Sequence, residues 1–224
     1  RLYTGGLVQN EDNGSSTGTL TMFSADLQSS ATIMAPQVGR INYAVFANSY
    51  IYTVGTSTGQ PDKNVLIHKR NLITMDAVST ATIPAPMAMY PDPRALAVDG
   101  SGNVYTVFST NLNGDVQGPT FLAKLNSDFA SHTKKDITGL NLPKWGYHLM
   151  VSAAGNLYLL GSPENQDYAV IYKFDANLVQ TASATYSPII KHFSGGVANG
   201  ALDAAGNVFV TWETPINGGD YVVL

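Results

Sequence analysis

No cysteine occurs anywhere in the chain, which excludes disulfides, thiolate nucleophiles and cysteine-ligated zinc. Charge is scarce as well. Twelve Lys and Arg and sixteen Asp and Glu make up 12% of the 224 residues and leave a net charge of −4, about half the usual charged share. Twelve scattered cations do not form the clustered positive surface that phosphate binding needs, so nucleic acid is not an expected partner. The one basic cluster, "HKR" at 68–70, reads as the solvated edge of a strand. No apolar run approaches the ~18–20 residues that span a bilayer. The sequence opens at Arg1 without Met and without a signal-peptide hydrophobic stretch, which reads as a processed or partial chain.

Catalytic signatures are also missing. There is no GxSxG, Walker or GxGxxG motif, and the four histidines, His68, His132, His148 and His192, show no HExxH spacing, so no metal and no cofactor is expected. "NEDNG" at 10–14 lacks the alternating acids and closing glutamate of a calcium loop. "NGS" at 13–15 is a three-residue match to a glycosylation acceptor.

What the chain does have is glycine, 21 of them, and a repeat. "VDGSGNVYTV" (98–107) returns as "VSAAGNLYLL" (151–160) and "LDAAGNVFVT" (202–211). The copies place Tyr3, Tyr52, Tyr105, Tyr158 and Phe209 in one column, at spacings of 49, 53, 53 and 51. That interval fits four short strands with their loops, the size of a propeller blade. A first strand such as "RALAV" (94–98) runs into the hairpin, a second such as "NVYTV" (103–107) leaves it, and a third such as "TFLAKL" (120–125) or "AVIYKF" (169–174) follows a loop of varying length. A second repeated turn, "NSDF" at 126–129 or "DANL" at 175–178, leads to a more polar fourth strand, as around 81–83.

The second strands are apolar on successive residues, Val104 beside Tyr105 and Leu157 beside Tyr158, so both faces of the sheet must be covered. The aromatic column is then packing between neighbouring sheets. Gly102, Gly155 and Gly206 sit where a hairpin built on a type I turn needs a left-handed residue, which glycine adopts without strain. In "VFANSYIY" (45–52) Ser49 takes the glycine's place, and that hairpin is expected to be the least regular.

"ALAVDGSGNVYTVFST" followed by "TFLAKLNSDF", and "GALDAAGNVFVTWET" followed by "GGDYVVL", resemble the bacterial β-propeller repeats known as SBBP repeats, with a looser likeness to NHL repeats. The resemblance is strongest over 94–224 and weak over 1–60. It implies a propeller in an extracellular setting and carries no catalytic residues. The expected fold is all-β, a β-propeller of four-stranded antiparallel blades, about five blades or part-blades: approximately 1–40 (partial), 41–93, 94–146, 147–197 and 198–224 (partial). Residues 1–5 fit a second strand and 220–224 a third. These leftovers overlap rather than complement each other, which reads as a segment of a longer protein, with a self-contained five-bladed ring as the alternative.

A propeller separates its tight repeated turns from its variable loops, here 8–18, 55–63, 109–119, 161–167 and 213–220, onto opposite rims, and binding resides on loops held by a rigid scaffold. At the variable rim, the first strands align Ile41, Arg94, Tyr147 and Ala198, then Asn42, Ala95, His148 and Asn199. Tyr90, Trp145 and Trp212 are expected nearby. Aromatic faces beside hydrogen-bonding side chains suit a sugar ring or a peptide, so Arg94, Tyr147, His148, Asn42, Asn199, Trp145 and Trp212 are the candidate binding residues. The structural alternative has Trp145 and Tyr147 plugging the core and Arg94 paired with a loop carboxylate such as Asp92. The expected function is a non-catalytic extracellular binding or structural module of a secreted or cell-surface protein, with a glycan or protein ligand. One alternative is a propeller lyase or hydrolase using His148 and Arg94 at the channel mouth, and another is a self-assembling surface or filament component.

Overall fold

A computed structural model describes residues 2–9, 16–23, 28, 30–35, 38–57, 64–86, 90–112, 116–140, 142, 147–161, 168–186, 199–211, 213–216 and 220–223. Trp145, Trp212, His192, Ala198 and the centres of all five variable loops lie outside the described residues. The described elements are strands throughout, and among the described residues no helix is long and apolar enough to cross a membrane.

Sheet I holds β1 (Leu2–Gln9), β2 (Ser16–Phe23) and β3 (Ser30–Ala35) in that order. Sheet II runs β4 (Val38–Ala47), β5 (Tyr50–Ser57), β6 (Asn64–Asn71) and β7 (Ala77–Pro84). Sheet III runs β8 (Tyr90–Val98), β9 (Val104–Leu112), β10 (Val116–Leu125) and β11 (His132–Asp136). Sheet IV runs β12 (His148–Val151), β13 (Leu157–Gly161), β14 (Ala169–Phe174) and β15 (Gln180–Tyr186). Two hairpins follow, β16 (Asn199–Leu202) with β17 (Val208–Thr211), and β18 (Glu213–Ile216) with β19 (Asp220–Val223). Every strand pairs antiparallel with its sequence neighbour inside each sheet. The first strands β4, β8, β12 and β16 stand next to one another along the series.

Successive sheets pack face to face, and the residues of a second strand divide between two neighbours. In β9, Val104 and Phe108 join Tyr52, Val54 and Ile67 in the core between sheets II and III, while Tyr105 and Val107 join Leu157, Leu159 and Phe174 between sheets III and IV. In β13, Tyr158 and Leu160 turn to Leu202, Val208 and Val210 of the hairpin β16–β17. Burial of both faces explains why these strands read as continuous apolar runs. Each such side chain removed from water contributes ~2 kcal/mol.

Within sheets II to IV the aromatic column follows this rule. Tyr52 and Tyr105 are fully buried and Tyr158 nearly so, whereas Phe209 in the hairpin β16–β17 is 58% exposed. Opposite each tyrosine on the third strand stands a lysine: Tyr52 with Lys69, Tyr105 with Lys124, Tyr158 with Lys173. Each ammonium lies 5.6–5.9 Å from its ring centroid, a repeated cation–π contact.

The glycine turns form as their physics requires. Gly102, Gly155 and Gly206 have φ of 85°, 79° and 84°, and each donates its N–H to the carbonyl three residues back, Asp99, Ser152 and Asp203. Asp99 ties its turn together: Oδ1 accepts the Ser101 and Asn103 N–H groups, and Oδ2 accepts the Asn103 amide and the Tyr105 hydroxyl. Burial opposes its ionisation, but these hydrogen bonds outweigh it and hold the carboxyl below its usual range.

The Asn48–Ser49 hairpin departs from its copies: it is a two-residue turn, Ala47 pairing Tyr50, with both residues left-handed at φ 51° and 65°, and its ladder carries two register shifts, between Val38 and Arg40 and between Ile41 and Tyr43. One sequence expectation is corrected here. "HKR" is not a solvated edge. Strand β6 is interior to sheet II, and His68 and Arg70 are 5% and 7% exposed.

Candidate functional site

The site is set by two irregularities in the first strands. Register slips between Ile41 and Tyr43 in β4 and between Pro93 and Ala95 in β8, so Asn42 and Arg94 are each an extra residue on a β-bulge, the device that re-aims a side chain at the end of a ladder. The two bulges are equivalent. Val45, Ala97 and Met150 pair with the column aromatics Tyr52, Tyr105 and Tyr158; the third residue before each is Asn42, Arg94 and Tyr147. The second before each is Tyr43, Ala95 and His148, and Asn199, two before Ala201 opposite Phe209, belongs to that row. Asn42 rather than Ile41 therefore stands with Arg94 and Tyr147. The shift comes from the two-residue turn at Asn48–Ser49, which makes the first hairpin one residue shorter than its copies.

Asn42 and Arg94 meet at one carboxylate. Arg94 Nη2 lies 2.7 Å from Asp92 Oδ2, and Arg94 Nε donates to Ser109 Oγ at 3.3 Å. Asn42 Nδ2 donates to Asp92 Oδ1 at 3.2 Å and to the Pro93 carbonyl at 3.1 Å, joining sheets II and III. The pairing of Arg94 with Asp92 matches the structural alternative raised from the sequence, and it fixes the guanidinium in a buried setting. Arg40, Tyr43 and Pro93 complete the walls of an open cleft of about 230 Å³. Asn42 Oδ1 is buried there with no hydrogen-bond donor.

Two guanidiniums face one carboxylate, so the cleft carries net positive charge. Arg40 is exposed, and Tyr43 keeps 40% of its surface exposed. Burial raises the Tyr43 hydroxyl above its ordinary pKa, with Asp92 adding to the shift and Arg94 and Arg40 opposing it. The phenol is therefore a neutral donor at physiological pH. Tyr43 and Arg40 were not singled out from the sequence. The signal was the bulge, which needs the ladder register to be seen.

Tyr147 is 4% exposed, packed in the core between sheets III and IV. Burial raises its pKa, with Thr120 and the charge of Arg94 pulling the other way, and its hydroxyl is buried without a hydrogen bond within 3.5 Å. His148 is half-buried at the start of β12. Burial lowers its pKa and a hydrogen bond to the Gly200 backbone opposes that, so the ring is neutral and tied to the neighbouring hairpin. Asn199 is placed in β16, paired with Thr211; Trp145 and Trp212 fall outside the described residues, and Tyr90 begins β8 at this same end. The structure thus brings Asn42 and Arg94 together, sets Tyr147 behind them in the core, and gives His148 a separate backbone partner. Among the described residues no group of three or more His, Cys, Asp or Glu could hold a metal ion.

No protein-family model matches the sequence, and no curated protein matches it. Solved structures do. A protein of unknown function from Bacteroides caccae aligns over 98% of this chain and 71% of its own with 9% identity and a TM-score of 0.50. An endo-arabinase from Bacteroides thetaiotaomicron VPI-5482 aligns over 100% and 93% with 13% identity and a TM-score of 0.47. A protein from Lactobacillus plantarum aligns over 100% and 82% with 12% identity and a TM-score of 0.41. At these identities the likeness is one of fold alone.

Proposed function

We propose that the chain forms consecutive blades of a β-propeller of the SBBP type and serves as a non-catalytic binding module of a secreted or cell-surface protein. Its ligand, a glycan or protein bearing an acidic group, engages the cleft of Arg40, Asn42, Tyr43 and Arg94 at the rim of the variable loops. The observation that carries this reading is the joining of two equivalent bulges, Asn42 and Arg94, at Asp92, which leaves a prearranged, net-positive cleft beside a tyrosine face. Preorganised polar groups beside an aromatic ring are what a sugar or an acidic peptide needs. An extracellular setting is supported by the absence of cysteine and the low charge, together with the repeat resemblance.

The test is an oligosaccharide microarray spanning neutral and uronate-bearing glycans, with each hit titrated against the wild type and an Arg40→Ala/Tyr43→Ala variant. Both side chains are on the cleft wall rather than in the core, so the variant folds. A uronate-bearing hit weakened at least about tenfold supports the reading, and hits that bind both proteins equally oppose it.

A second reading is favoured by Phe209. Its counterparts Tyr52, Tyr105 and Tyr158 are buried, while it is 58% exposed, which suits self-association of a structural surface component. Light scattering separates the two: a concentration-dependent mass abolished by Phe209→Ser supports assembly, and a monomer at every concentration opposes it.

A further inference from the structure

At the opposite end of the sheets, among the tight turns, two equivalent seams are finished differently. Between sheets II and III the gap is filled by aromatics. Tyr50 stands edge-on to Tyr52 with centroids 6.4 Å apart, Lys69 lies 4.2 Å over the Tyr50 ring, and Phe129, from the turn after β10, packs 6.5 Å from Tyr52. Between sheets III and IV, the residue two before the column tyrosine is Asn103 instead of Tyr50, and the left-handed turn residue is Leu178 instead of Phe129, both near φ 64°. Two rings are replaced by an amide and a smaller aliphatic side chain, and a cleft of about 440 Å³ stands open there.

The lining tells what fits. Leu178, packed in the core between sheets III and IV, closes the bottom of the cleft. Asn103, Asn126, Ser131, Thr133 and Asn177 supply the polar walls, and no carboxylate is among the lining residues. The one cation, Lys124, donates to the Ala176 carbonyl at 3.0 Å and lies 5.6 Å from the Tyr105 ring, so its charge is already engaged. Asn103 holds its amide toward Asp99 at 2.8 Å, and Ser131 donates to Asn126 Oδ1 at 2.6 Å, so these side chains are set in position. Side-chain amides and hydroxyls both donate and accept, which matches vicinal hydroxyls, and the volume falls within the range of small-molecule sites.

We infer that the seam between sheets III and IV is a second binding site, separate from the Arg40–Arg94 cleft, which takes a neutral, hydroxyl-rich sugar unit of a glycan. The site exists because this seam lacks the aromatic filling of its neighbour. The experiment restores that filling. Asn103→Tyr with Leu178→Phe copies the sister seam, whose left-handed Phe129 shows that the backbone accepts phenylalanine. Affinity electrophoresis through gels containing neutral soluble polysaccharides (a glucan, a mannan, a galactan and a xylan) measures binding. Retardation of the wild type by at least one of them, reduced about tenfold or more in a double variant that still unfolds in one cooperative transition, is the expected result. Asn177→Ala is the milder companion, since the backbone N–H of Asn177, rather than its side chain, caps Asp175; it weakens the same retardation severalfold. No retardation by any of the four polysaccharides overturns the inference, as does retardation that both variants leave intact. A uronate-bearing glycan run in parallel reports on the other cleft and is retained by the double variant, so loss of both together also overturns it.

Discussion

Acid should loosen the seam between sheets I and II, and His68 sets how much. The imidazole is 5% exposed, in the interior strand β6. Its Nδ1 is 3.0 Å from Thr80 Oγ1, and its Nε2 is buried without a partner. Burial, with the charge of Arg70 adding to it, pushes the histidine pKa down from 6.5 to about 4. The unfolded chain therefore takes up a proton near pH 6.5 that the folded chain refuses until about pH 4, and stability falls as pH drops through that window and levels off below it. The gap corresponds to ~3 kcal/mol, a large part of a domain's net stability. Other carboxylates and histidines titrate in the same range, so the measurement is a difference: urea unfolding of the wild type and of His68→Gln at steps from about pH 7 to about pH 4. The wild type should lose ~3 kcal/mol more than the variant across the window. Parallel pH profiles would refute the reasoning, because they would mean that the ring reaches water or finds a partner on protonation.

Two further perturbations probe the repeated turn. Ala at Gly102 and at Gly206 both force a left-handed backbone, costing ~1–2 kcal/mol. The new Cβ at Gly102 would also lie 3.3 Å from Ser127 Cβ, while that at Gly206 meets nothing within 4 Å, so denaturant midpoints should rank Gly102→Ala below Gly206→Ala. Asp99→Ala removes the acceptor for the Ser101 and Asn103 N–H groups and for the buried Tyr105 hydroxyl, and unfolding measurements should show a loss of ~2–4 kcal/mol, with a smaller loss for Asp99→Asn.

The strands and the glycine turns were legible in the sequence because both signals are local. A both-faces-apolar run such as "NLYLL" needs two covering sheets, and a glycine at a fixed offset needs a left-handed turn. What was lost depended on register or on a neighbour. A hairpin one residue shorter at Asn48–Ser49 moved Asn42 out of its true row, and the bulges that pair it with Arg94 leave no mark in composition. His68 and Arg70 read as polar, and only their place in an interior strand buries them. Left-handed Met75, Phe129 and Leu178 carry no glycine to announce their turns. There the cost of the backbone is offset by the burial of a large apolar side chain between sheets: Met75 and Leu178 are 3% and 1% exposed.

The central claim is that ligand binds where the bulged residues Asn42 and Arg94 meet at Asp92. An amide-resolved NMR titration of the whole chain with a uronate-bearing oligosaccharide taken from the array tests it most directly. Saturable shifts are expected at residues 40–43, at Asp92 and Arg94 and at the Asn42 side-chain amide, reduced in parallel with affinity by Arg40→Ala. Saturable binding that leaves those resonances unmoved would contradict it.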